Sequence, residues 1–396
     1  MHYLKIYLSL WILGYCTSSW AQGGLTNNGA SIQVVSNTNI QITAGGVENL
    51  SDGNIANAGN LYLDKDWTQT GTTTDYTGNG SVHFKGNTNQ FVASSTPLTI
   101  ANLKVNNGLR LILGNPITVS TNLDLMSNGS MELGSNDLTL STGCTISNYD
   151  VNHFIITNGN GSLIQEVGTI DITYPIGNSI YNPAILNNSG TLDNFSVRVE
   201  DQVRTAYPSG SLVTTGMVDK TWFIDETIQG GSDMSVTLQW ETSDELSSFD
   251  RTKCGVIHWS NSAWDYPATG STASNIGGNS WSQTRTGITS FSPFAIDDII
   301  LTSTPLLVDS EKENTLLIYP NPTKEYLNIK FSSVESSSAI VQIFSADGRL
   351  VFNEQRVVDA NQSIQLLDLT DLAAGTYLLQ TILKNGQSNT QRFIKR

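Results

Sequence analysis

The side chains able to do chemistry are few and scattered. Three histidines lie beyond the N-terminal segment, His83, His153 and His258, each inside a strand-like pattern and none beside another. A serine–histidine–acid relay brings nucleophile, base and orienting acid to one place, and no recognisable nucleophile context accompanies any of the three. Carboxylates offer more. Asp64 with Asp66, Asp244 with Glu245, and Asp297 with Asp298 are hard oxygen donors that could each bind Ca2+. None belongs to a loop of alternating ligands, so solvated surface charge accounts for them as well. The Gly-x-Ser-x-Gly elbow, the His-Glu-x-x-His zinc motif, the phosphate loop and the dinucleotide glycine pattern are all absent. The reading is therefore non-enzymatic, with no cofactor expected beyond that weak Ca2+ signal. Five tryptophans fall between residues 222 and 281, with Tyr266 nearby. Trp222, Trp240 and Trp259 occupy strand positions that suit a core. Trp264 and Trp281, next to turn residues, are the candidates for stacking on a glycan.

These residues are carried by a secreted chain. Lys5, the apolar run from Ile6 to Tyr15, and small residues at Ser19 and Ala21 make a secretory signal with cleavage expected between Ala21 and Gln22. Tyr15 is too bulky for the residue before a lipidated cysteine, which disfavours lipidation at Cys16. No later apolar stretch approaches the roughly eighteen residues that cross a bilayer, so no transmembrane segment is expected after cleavage. Residues 22–312 hold 27 acidic and 11 basic side chains, whereas residues 313–396 hold 8 of each. The acidic portion disfavours nucleic acid and anionic membranes, which need cationic patches. Only Cys144 and Cys254 remain after cleavage, so there is no disulfide framework; they either pair or stand as two separate thiols.

From 22 to about 167 helical periodicity is scarce, and short apolar pairs at i, i+2 recur between Asn, Gly, Ser and Thr. Asn102–Val105 matches Asn122–Leu125, Leu111–Gly114 matches Met131–Gly134, and Ile117–Ser120 matches Leu138–Ser141, at offsets of 20, 20 and 21 residues. Asn60–Leu63 and Ser81–Phe84 are degenerate members of the series. Three short strands per period of about twenty residues predict one coil of a parallel β-helix-like solenoid. A β-sandwich competes, but its strands recur at about eight to twelve residues, wider than the gaps here. Solenoids of this kind host polysaccharide lyases and hydrolases, which cluster charged residues on one face; residues 22–163 hold only four basic side chains.

From 168 to 300 strands lengthen and aromatics appear, as in Phe195–Val199, Lys220–Ile224, Met234–Trp240 and Val256–Trp259, which predicts an antiparallel β-sandwich. Residues 301–315 read as a linker. Residues 316–396 carry about seven short strand patterns, the count of a compact Ig-like sandwich. The whole is thus all-β.

Within that last segment stand Tyr319-Pro320-Asn321-Pro322-Thr323, a hairpin signal at Asp347-Gly348-Arg349, Gly375-Thr376-Tyr377 at the start of a strand, and a Lys395-Arg396 terminus. Together they resemble the type A C-terminal sorting domain of type IX (Por) secretion, a family of Bacteroidota, over about residues 314–396. No single motif is specific; four in order behind a secretory signal are. The resemblance implies passage through the Sec translocon into the periplasm, then delivery by the type IX machinery to the outer-membrane surface or medium. It also implies removal of the tail by cleavage within 302–315. Its pattern residues here are Pro320, Asn321, Pro322, Gly348, Gly375, Tyr377 and Lys395. Cargo adhesion or structural display is the expected role, with carbohydrate binding or polysaccharide processing as the alternative.

Overall fold

The computed structural model describes residues 18–71, 75–126, 129–299, 316–331, 337–358, 364–383 and 388–396. The expected 301–315 linker and the first seventeen residues lie outside these. The chain divides into two compact units, with the division after Thr302.

The first unit begins as a β-solenoid of about seven turns. Three strand stacks form its walls, and every pair in them is parallel. One runs through Asn39–Thr43, Asn60–Leu63, Ser81–Phe84 and Leu98–Val105 to Leu163–Val167. A second runs from Leu25–Asn28 through Trp67–Gln69 and Leu111–Leu113 to Ile176–Gly177. The third comprises Ser31–Val34, Asn54–Asn57 and Tyr76–Thr77. In the first wall Leu98–Val105 pairs along its length with Ile117–Leu125, with a register shift between Ile100 and Asn102. The repeat read from sequence is the pairing register itself. Asn102 lies opposite Asn122, Leu111 opposite Met131, and Ile117 opposite Leu138.

Alternation turns Leu61, Leu63, Val82, Phe84, Leu103, Val105, Leu123 and Leu125 fully inward. Each such side chain is worth about 1.5–3 kcal/mol in transfer from water. Corners bring backbones close, and there glycine is required: a Cβ on Gly80 would sit 2.4 Å from the Gly59 carbonyl oxygen one coil away. Polar residues that do turn inward are bonded along the stack. Asn27 and Asn49 are at most 2% exposed, and Asn27 Nδ2 donates to Asn49 Oδ1 at 2.9 Å.

The parallel stack gives way at Leu163–Val167, which pairs antiparallel with Asp193–Asp201. The same sheet continues through Lys220–Glu226, Pro293–Asp298, Cys254–Ser260 and Ala263–Asp265. A five-stranded antiparallel sheet, Ile172–Tyr174, Ala184–Asn188, Met234–Glu241, Ser280–Ile288 and Ser274–Gly277, contributes to the same apolar cluster. Phe195, Trp222, Ile224, Val236, Leu238 and Trp240 join the solenoid interior in that cluster without a break. Cys144 is half-buried, Cys254 is fully buried, and both are free thiols.

Among its described residues the second unit has seven strands in a three-stranded and a four-stranded antiparallel sheet. Its own core gathers Leu327, Ile329, Val341, Ile343, Leu367, Tyr377, Leu379 and Phe393. Among the described residues no helix is long and apolar enough to cross a membrane.

Truncating Leu103, fully buried with coils on both sides, to alanine should cost about 2–5 kcal/mol. Denaturant unfolding of Leu103→Ala checks this, and a loss well under 1 kcal/mol would contradict a packed solenoid interior.

Candidate functional site

Parallel register stacks the outward residues of the first wall in two columns. Asn39, Asn60, Ser81, Asn102, Asn122 and Thr145 form one; Gln41, Tyr62, His83, Lys104, Asp124 and Ser147 form the other. Asn60 Nδ2 donates to Asn39 Oδ1 and Thr145 Oγ1 to Asn122 Oδ1, each at 2.9 Å. Tyr62 and His83 stack with centroids 4.1 Å apart, so their rings cover one another. Lys104 lies 3.9 Å from Asp124, whose other oxygen accepts from Asn148 Nδ2 at 2.7 Å. Lys85 lies 3.4 Å from Asp64 and donates to Gln41 Oε1 at 2.9 Å. Two of the four basic residues of this region thus meet on one wall, each matched to a carboxylate. The wall is a polar strip with no net charge from these pairs, presenting donors and acceptors at a spacing near the ~4.8 Å of neighbouring strands. Burial pushes His83 down to about 4, with Lys104 adding to the shift, so its imidazole is neutral at physiological pH.

The other two histidines are held structurally. His258 is buried and stacked on Phe294, centroids 4.5 Å apart. Its Nε2 lies 2.7 Å from Ser292 Oγ, and that hydroxyl also donates to the Trp259 carbonyl. A hydroxyl has one proton. With it given to the carbonyl, Ser292 accepts from Nε2–H, which leaves no base aimed at a nucleophile. His153 Nδ1 sits 2.8 Å from Asp150 Oδ1 across a tight turn.

The three carboxylate pairs separate into local roles. Asp64 Oδ2 accepts from Ala44 N and Asp66 Oδ1 from Phe91 N, at 2.8 and 2.9 Å. Asp244 Oδ1 lies 3.1 Å from Lys220 Nζ, and its Oδ2 accepts from Asn182 Nδ2 at 2.8 Å; both ion-pair side chains are at most 6% exposed. Glu245 is bridged by Arg251 and accepts from Trp240 Nε1 at 2.8 Å. Asp297 accepts from Tyr266 Oη at 3.0 Å, and burial raises it to about 6. Asp298 instead accepts from Asp250 N at 2.6 Å. Among the described residues no cluster of three acidic, His or Cys groups could hold a metal ion. Lys220 was not singled out from sequence, although it shares the inward parity of Trp222 and Ile224, an alternation that marks a buried cation.

Trp264 is half-buried, edge-on to Trp259 and Tyr207, with Nε1 donating to the Arg204 carbonyl at 3.0 Å. Trp281 lies under the Arg251 guanidinium, 4.3 Å from the ring centroid, and its Nε1 donates to Thr242 Oγ1 at 3.0 Å. One face of Trp281 is therefore already covered.

The expected cleavage point, Ala21 and Gln22, lies within the strand Ser18–Gln22, whose backbone pairs with Asn39–Thr43. In the second unit, Asn321 clasps the last strand: its Nδ2 donates to the Arg392 carbonyl and its Oδ1 accepts from Ile394 N, both at 3.0 Å. Thr323 N donates to the Ile394 carbonyl at 2.8 Å and Arg396 N to the Thr323 carbonyl at 2.8 Å. Pro320 and Pro322 bracket this clasp. Lys395 pairs with Gly375 and bridges to Thr323. Tyr377 is buried on Phe393 and donates to the Ala373 carbonyl at 2.8 Å. Gly348 takes a left-handed φ of 82° in the Ser345–Arg349 hairpin. Residues 317–396 match the family described as secretion system C-terminal sorting domain. The chain ends in a sorting domain of type IX secretion.

No curated protein sequence matches the chain. Among solved structures, dimeric latent PorU from Porphyromonas gingivalis is similar at 12% identity and a TM-score of 0.19, over 54% of this chain and 31% of that one. Within the sorting domain Asn321, Gly375 and Tyr377 meet the final strand and Lys395 belongs to it, whereas Gly348 turns the separate Ser345–Arg349 hairpin.

Two outcomes are expected. NMR titration should show His83 neutral down to about pH 4; the folded value lies below the unfolded one, so its contribution to stability declines as pH falls from about 6.5 through 4. A measured value at or above 6 would refute a buried, stacked imidazole. Asn321→Ala should remove about 1–3 kcal/mol of local stability, read as roughly ten- to hundred-fold faster hydrogen exchange at Ile394 N–H. Unchanged exchange there would dissolve the clasp.

Proposed function

We propose that residues 22–300 are an adhesive or structural cargo displayed outside the cell, with residues 316–396 serving as their export address. The sorting domain carries the second half of this reading, since it indicates export by type IX secretion. The N-terminal signal would first take the chain through Sec to the periplasm. The tail would then be removed within 302–315 at an outer-membrane surface.

The observation that carries the cargo role is the first solenoid wall. Its Asn, Ser and Thr columns bond to one another, its lysines are matched by aspartates, and its rings are covered. Such a strip can be met by an extended polar partner over its whole length, and it lacks the exposed acid–base pair a hydrolase needs. Residues 168–300 and the tail are each read as β-sandwiches, supported by the two sheets that share an apolar cluster in each case.

A glycan-binding role has one specific support. A cleft of about 220 Å3 is lined by Tyr181, Pro183, Gln239, Glu241, Ile276 and Ser280, which mix apolar and hydrogen-bonding groups.

Deleting residues 316–396 should retain the cargo inside the cell. Fractionation with surface protease shaving measures this, and normal surface delivery of the truncated chain would sink the export reading. Beads coated with residues 22–300 should adhere to cells or matrix polysaccharide independently of Ca2+. Adhesion no better than that of uncoated beads would refute the adhesive role.

A further inference from the structure

The end of the solenoid that the signal sequence occupies is built as a joint. Ser18–Gln22 is the outermost strand of the first wall, on Asn39–Thr43. Cutting before Gln22, the cleavage on which this inference rests, removes four of its five residues. In a parallel pair each residue turns its N–H and C=O to the same neighbour. The carbonyls of Thr38 and Ile42 bond inward to Asn60 N and Asp64 N, at 2.9 and 3.4 Å. Asn39 and Gln41 therefore face the vacated edge with unpaired backbone groups. Leu25–Asn28 and Ser31–Val34 are the terminal strands of the other two walls at the same end. The core is unfinished there: Leu25, Ile32 and Ile40, one on each wall, are only partly buried against it.

Exposed edges are normally guarded by charge or proline. This one is not. From Gln22 to Val47 the chain has no Asp, Glu, Lys, Arg, His or Pro, although its formal net charge is −15. Repulsion opposes contact between copies elsewhere on an acidic surface; the terminal coil supplies no charge of its own, and the Lys85 and Asp64 side chains that reach its Gln41 Oε1 and Ala44 N form an ion pair with each other.

We infer that the mature protein dimerises by stacking this coil on the same coil of a second copy. A two-fold axis through Gln41 would pair Asn39–Thr43 antiparallel with itself, setting Ile40 of each copy beside Ile42 of the other and prolonging the core across the joint. Such an isologous contact closes at two copies.

Sedimentation velocity on the chain from Gln22 to Arg396, at about 5–100 μM, should show a dimer. Gln41→Pro deletes the edge-facing N–H while sparing the ladder to Asn60–Leu63, and Gln41→Lys sets like charges against each other across the axis. Each should yield monomer with at least a ten-fold weaker dimerisation constant and unchanged circular dichroism. Should the proline variant misfold, the lysine variant decides. A wild-type monomer throughout the range, or dimers that survive both substitutions, would overturn the inference. Neither result bears on type IX export, which the tail deletion tests separately.

Discussion

Everything in the first unit depends on one constraint: in a parallel coil each residue must tolerate its counterpart about 4.8 Å above and below. The backbone ladder fixes that spacing, so residue types sort into columns. Apolar over apolar builds the interior, as at Leu61, Val82, Leu103 and Leu123. Glycine over glycine lets corners close, as at Gly59 and Gly80. Amide over amide satisfies itself, because each carboxamide carries both donors and an acceptor. Charge is the type that cannot repeat along a column, and here it does not: Lys104 is followed by Asp124.

The same constraint explains how the solenoid ends. After Leu163–Val167 the sheet changes to antiparallel pairing, in which strands contribute from both directions and the like-over-like rule lapses. The interior continues regardless. Tyr174 is fully buried where the change occurs, and its single hydroxyl proton is shared between the Gln165 and Phe195 carbonyls, 3.1 and 3.0 Å away. Longer antiparallel strands then admit Trp222 and Trp240 and the buried Lys220–Asp244 pair. Removing Lys220 would leave the buried Asp244 uncompensated, whereas without Asp244 the lysine would keep Asp201 as its partner. This pairing makes residues 168–300 a continuation of the solenoid's core, although their composition reads as a separate texture.

Sequence legibility follows from that physics. The solenoid was readable because vertical stacking makes neighbours in space repeat in sequence; offsets of 20 and 21 residues became the register of Asn102 on Asn122 and Ile117 on Leu138. The tail was readable because tight turns restrict residue type, as the φ of 82° at Gly348 does. The polar wall was not. Its partners lie one to two coils apart, Lys85 reaching Gln41 over 44 residues, and a distribution of four basic residues along 142 positions says nothing of their meeting. Trp281 stands next to turn residues in sequence, while the Arg251 that covers it comes from a turn thirty residues earlier, held there by Glu245 and Thr242.

The two units obey different rules, and this fits what each must do. A cargo built of stacked coils can lengthen or shorten by whole turns without disturbing its walls, since each coil contacts only its neighbours. A delivery signal has to keep one shape behind any cargo. The tail meets that need by holding itself: it has its own core, balanced charge, and a final strand fastened by Asn321 and Thr323 from within the same unit. Because the clasp uses side-chain amide atoms on backbone groups, it fixes the strand without depending on the strand's own side chains. Arg392 and Ile394 thus remain free to vary while their backbones stay fastened.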